Sequence, residues 1–127
     1  MTALNENAIT LLSATTVSLA ADGDTTIYTV PVGKRCILSH AILVAGADAG
    51  TSDISIGQNG AETDFVGVTN LDNLDAQYDA MLLAPVPSAT PATNKSYAAG
   101  TVIEAKVANN NGGATNTLYL FGTLYDA

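Results

Sequence analysis

The sequence predicts an all-β protein: a single-domain antiparallel β-sandwich, jelly-roll-like, of about eight strands. Three observations point there. From Thr15 onward, Gly, Pro and Asn/Asp clusters punctuate the chain roughly every eight to twelve residues, the spacing of sandwiches and barrels. Between them, apolar residues either alternate with polar ones or fill both faces of a short run, and no stretch keeps helical spacing for long. A length of 127 residues suits one domain, which would bury about two-thirds of its unfolded surface around one core. An immunoglobulin-like sandwich and an up-and-down barrel are alternative arrangements of the same strands.

Residues 1–14 read as an N-terminal arm ahead of a sandwich domain of residues 15–127. Asn5, Glu6 and Asn7 lead into Ile9, Leu11 and Leu12, with no turn to fold the segment back as a hairpin. Leaving large aliphatics in water forgoes about 1.5–3 kcal/mol each, so this arm is expected to dock on a partner. Residues 16–19 alternate as a first strand. Asp22-Gly23 offers a tight hairpin turn, and residues 25–30 return as the second strand. Pro31 and Gly33 suit the second and fourth positions of a type I turn over residues 30–33. A long third strand, residues 35–45, places Cys36, Leu38, His40, Ile42 and Val44 on one face and Ile37, Ser39, Ala41, Leu43 and Ala45 on the other.

Residues 53–58 make a fourth strand with Ile54 and Ile56 inward, Asn59-Gly60 a turn, and residues 65–70 a fifth strand. Leu71, Leu74 and Tyr78 have helical spacing, which allows one short helical turn. A short strand over residues 81–85 precedes Pro85, Pro87 and Pro91, whose rings deny ladder donors and open the longest loop, residues 85–99. Ile103, Ala105 and Val107 then face inward while Glu104 and Lys106 face out. Asn109-Asn110-Asn111-Gly112-Gly113 turns the chain into its last strand, residues 117–125. Both faces of that strand are apolar: Leu118, Leu120 and Leu124 on one, Tyr119, Phe121 and Tyr125 on the other. In a protein this small one face packs the core, and the other is expected to meet a second subunit.

Composition narrows the function. Charged residues are 13% of the chain, against about 25% in an average soluble domain, a surface suited to burial in an assembly. The net charge is −8, and Lys34 with Arg35 is the sole adjacent basic pair, so no nucleic acid partner is expected. The start lacks a basic, continuously apolar leader, and no stretch approaches the roughly 18 apolar residues that cross a bilayer, so no membrane partner is expected either. The lone cysteine, Cys36, reads as a small core hydrophobe.

The inventory for catalysis is thin. One His and one Cys cannot make a structural zinc site, and no cofactor or metal is expected. Ser39 and His40, as strand neighbours, should point to opposite faces and be unable to cooperate. Asp22-Gly23-Asp24 lacks the ligand alternation of a calcium loop, and Asp72, Asp75 and Asp79 read as solvated acids without an aromatic platform. No catalytic residue is assigned.

The segment Thr25-Thr26-Ile27-Tyr28-Thr29-Val30-Pro31-Val32-Gly33-Lys34, followed by a long apolar strand, resembles an element of tailed-bacteriophage virion proteins. So does the ending, Ala99-Gly100-Thr101-Val102-Ile103 and then, past a Gly/Asn-rich turn, residues 118–125. The resemblance is to small β-sandwich decoration, or cement, proteins of capsids. It implies a non-enzymatic homotrimer on the capsid exterior, made in the host cytoplasm, that bridges major capsid proteins. On that reading Tyr119, Phe121 and Tyr125 serve self-association, and Ile9, Leu11 and Leu12 in the arm serve capsid attachment. The alternative is a tail-fibre or tail-tip domain that contacts the host cell surface.

Overall fold

A computed structural model describes residues 8–83, 85, 95–111 and 113–127. Its strands are β1 (Thr10–Ser18), β2 (Gly23–Thr29), β3 (Lys34–Val44), β4 (Asp53–Gln58), β5 (Ala61–Asn70), β6 (Ala80–Leu83), β7 (Ser96–Tyr97), β8 (Val102–Ala108) and β9 (Thr115–Asp126). The two-residue β7 is the addition to the eight that the pattern predicts, and most of the proline-rich loop lies outside the described residues. The strands form two antiparallel sheets, a first in the order β1-β9-β3-β6 with β7 also on β3, and a second in the order β2-β8-β4-β5. The protein is an all-β, single-domain sandwich. No helix long and apolar enough to cross a membrane occurs among the described residues.

The core lies between the sheets. Val17, Leu38, Leu43, Leu118 and Leu120 from the first meet Ile27, Ile54, Ile56, Ile103 and Val107 from the second, all nearly inaccessible. Each such side chain contributes about 1.5–3 kcal/mol by leaving water. Leu118 and Leu120 face inward and Tyr119 and Phe121 outward, the division that alternation predicts for β9. Gly122 continues the inward row, where a Cβ would come within 2.6 Å of the Ile37 carbonyl oxygen and 2.9 Å of Leu12 Cδ1. Leu12 is therefore an inside residue, packed against the core beside Gly122.

Several expectations need correction, and each correction has a local cause. β1 begins at Thr10, well before residue 16, because residues 10–14 find partners on β9. Part of the segment read as an arm is thus sheet, and residues 1–7 lie outside the described residues. Asp22-Gly23 is a corner between sheets, since β1 and β2 belong to different ones. The Asp22 carboxylate accepts from the Asn110 amide at 2.8 Å and ties that corner to the turn before β9. The turn after β2 is shifted by one residue: Lys34 N–H donates to the Pro31 carbonyl at 3.2 Å, with Gly33 at φ +79° third in the turn and Val32 at its exposed tip. Residues 71–79 hold no helix. The Asp79 carboxylate takes the amides of Asp75 and Ala76, both at 3.1 Å, competing with a helical ladder there. Leu71 and Leu74 are buried nonetheless.

The largest correction is in β3. The alternation breaks between Leu38 and His40, where Ser39 is an extra residue against β9. Cys36 and Leu38 face the core before this bulge, and Ala41, Leu43 and Ala45 face it after. His40, Ile42 and Val44 are thereby turned to the outer face. A β-bulge re-aims everything beyond it, and one residue of slip exchanges the faces of a strand.

Candidate functional site

The outer face of the first sheet carries a continuous apolar surface built from matched register positions. Leu11, Phe121 and His40 form one row across β1, β9 and β3, and Ala14, Tyr119, Ile42 and Leu82 form the next, reaching β6. Thr123 and Ile37 follow on the other side of the bulge. Of seven exposed large apolar residues among those described, Leu11, Ile37 and Leu82 lie on this face, and Ile9 immediately precedes it, at exposures of 37–65%. Large apolar residues gathered on one sheet face in this way make it a candidate interaction surface.

Phe121 is at the centre. Both neighbours of β9 bulge beside it, β1 at Leu12 and β3 at Ser39. The second bulge brings the His40 ring over Phe121, stacked at 4.7 Å between centroids and 11° between planes. The same kink puts Ser39 Oγ 3.0 Å from His40 Nδ1, so the two side chains expected on opposite faces do meet. Among the described residues no carboxylate hydrogen-bonds to that imidazole, and the Ser39 contact sets its ring on the outer face of the sheet.

Tyr125 stands apart from this pair. Its hydroxyl meets Ser96 Oγ. Arg35, opposite Tyr125 in register, donates from Nε to Ser96 Oγ at 2.9 Å and from Nη2 to the Ser96 carbonyl at 2.6 Å. Tyr125 therefore fastens β7 to the sheet as well as contributing its ring. Of the sequence-predicted residues, the structure puts Tyr119, Phe121 and Leu11 on one face and Ile9 beside it. It places Tyr125 at the sheet's far end and commits Leu12 to the interior. His40, Ile42, Ile37 and Leu82 were missed as members of this face; a bulge leaves no mark in an alternation count.

Two polar clusters remain. Asp64 accepts from Tyr97 Oη at 2.9 Å, Gln58 Nε2 at 2.8 Å and Lys95 Nζ at 2.8 Å. Burial pushes its carboxyl upward, but these donors outweigh that and hold it below the usual range. Burial and then Asp64 push the Tyr97 hydroxyl up. On the outer face of the second sheet, Asp24, Glu62 and Glu104 converge, one oxygen of each within 4.8 Å of the others. Burial, followed by the charges of Asp24 and Glu62, raises the Glu104 carboxyl above its ordinary value.

The fold is similar to that of a chain in the Cyanophage Pam1 capsid asymmetric unit, with a TM-score of 0.57 and 16% identity over 91% of this chain and 84% of that one. At that identity the likeness is one of architecture. No protein-family model matches the chain, and no curated protein matches it.

Proposed function

We propose that this protein is a non-enzymatic structural component of a phage virion, a decoration protein that self-associates as a trimer and stabilises the capsid by bridging its major capsid proteins. The observation that carries the reading is the apolar outer face of the first sheet, centred on Phe121, on a fold shared with a capsid chain. The strand order, β1-β9-β3-β6 over β2-β8-β4-β5, supports placing it among the jelly rolls. Tyr119 and Phe121, flanked by Ile42 and Leu82, supply the self-association surface, with Tyr125 at its edge. Ile9 and Leu11 supply attachment to the capsid; Leu12 holds β1 to the core.

A protein that binds the assembled shell alone stabilises it by mass action, and bridging several neighbours multiplies weak contacts through effective concentration. Particles lacking the protein should assemble but release DNA at lower temperature, and purified protein added back should restore them. The tail-fibre alternative predicts the opposite: normal heat resistance with lost adsorption to cells. Phe121→Asp tests self-association directly. Aromatic anchors at interface centres commonly cost about 2 kcal/mol or more when truncated, so the variant should sediment as a folded monomer. A wild-type protein that is monomeric at micromolar concentration would remove the trimer from this proposal.

A further inference from the structure

The outer face of the second sheet carries a feature that self-association does not use. Asp24 comes from β2, Glu104 from β8 and Glu62 from β5, three strands of which only β2 and β8 are neighbours. Gly57 on β4 lies opposite Glu104 in register, and its missing side chain brings the third acid in. A Cβ there would fall 2.2 Å from the Ala61 carbonyl oxygen and 2.8 Å from the Glu62 carbonyl carbon. The start of β5 therefore crosses directly over Gly57, carrying Glu62 across β4 toward Glu104.

We propose that Asp24, Glu62 and Glu104 form a binding site for a hard divalent cation, with Ca2+ as the expected ion. Oxygens mutually within 4.8 Å lie no more than about 2.8 Å from a common point, so small side-chain adjustments would bring all three to the roughly 2.3–2.6 Å of a Ca–O bond. The donors are carboxylates alone, which favours Ca2+, Mg2+ or Mn2+ over softer metals. Glu104 supplies an independent sign. It is only 9% exposed, and its Oε1 accepts no hydrogen bond. A buried carboxylate oxygen without a partner is costly, and coordination of the Glu104 carboxylate through both of its oxygens would relieve it. The Lys106 ammonium acts on Glu62; three ionised carboxylates against that one ammonium leave two net negative charges, the complement of a divalent ion. Ca2+ suits the site better than Mg2+ because acids from three strands impose no regular octahedron, and exposed Asp24 leaves room for waters. The bound ion would clamp β2 and β5, the two edge strands, across the sheet.

The test is thermal unfolding of chelator-treated full-length protein against CaCl2, MgCl2 and an ionic-strength-matched NaCl control. Ca2+ should raise Tm saturably, by about 10 °C at a hundredfold excess over Kd, while NaCl leaves it nearly unchanged. Glu104→Gln and, at a less enclosed position, Glu62→Gln should each weaken Ca2+ at least about tenfold, as expected when a charged ligand is lost. Asp72→Asn, an acid elsewhere, should bind as the parent does. An equal Tm rise in all three variants would mean diffuse screening of the acidic surface and would overturn the site. No rise with Ca2+ or Mg2+ up to about 10 mM, beyond the weakest usual calcium modules, would overturn it too.

Discussion

Gly57→Ala should destabilise this protein substantially. The Cβ built at that position meets the Ala61 carbonyl oxygen at 2.2 Å, Asp64 Oδ1 at 2.5 Å and the Glu62 carbonyl carbon at 2.8 Å. Two of these atoms are backbone and cannot rotate away. The third belongs to a carboxylate already held by Tyr97, Gln58 and Lys95. The start of β5 would have to lift, breaking the Gln58–Ala61 pairing and withdrawing Glu62 from Asp24 and Glu104. Overpacking of this kind costs about 1–3 kcal/mol, and more where backbone must move. At this chain length about 1 kcal/mol shifts Tm by roughly 3–5 °C, so a fall of about 3–15 °C is expected by calorimetry. Gly100→Ala is the control. Its added Cβ meets nothing within 4 Å, but its φ of +82° imposes backbone strain of about 1–2 kcal/mol. A Gly57→Ala protein that melts within about 2 °C of the parent, or no lower than Gly100→Ala, would refute the crossing of β5 over β4.

Leu12→Ala should cost about 2 kcal/mol in urea unfolding because it empties the space over Gly122. Leu11→Ala, on the exposed face, should leave stability within about 0.5 kcal/mol while weakening capsid attachment; equal losses would contradict their opposite orientations. Cys36 is buried, and its thiol is pushed up to about 11; an aromatic disulfide reagent near pH 8 should label it at least about a hundredfold more slowly in the native protein than in denaturant. Asp64 is held below its ordinary value of 3.8, so the stability its ionised form contributes is present above that value and is lost as pH falls through the lower folded one. Asp64→Asn should lower stability at pH 7 by about 1.5–3 kcal/mol and flatten the acid limb of the unfolding midpoint, and an unchanged limb would assign acid sensitivity to other groups.

The sequence by itself determined the class of the protein. Alternation over residues 53–58 and 103–107, the Asn59-Gly60 turn and the two apolar faces of β9 are local properties, and each strand reports them without knowing its neighbours. It also indicated that the β9 face carrying Tyr119 and Phe121 would lie outside the core, since Leu118 and Leu120 fill it. What lay beyond it were properties that depend on pairing. Ser39 is an ordinary strand residue until β9 fixes the register on both sides of it. Only then does the extra residue become a bulge, turn His40 outward onto Phe121 and bring Ser39 to its own neighbour. Gly57 carries no signal in the alternation of the fourth strand, and only the crossing of β5 makes it the reason three acids meet. Leu12 reads as one of three arm aliphatics until Gly122 offers it a place inside. Side-chain periodicity is set within a strand, whereas register, bulges and crossings are set by contacts between residues far apart in the chain, so tertiary structure alone decided which residues share a face.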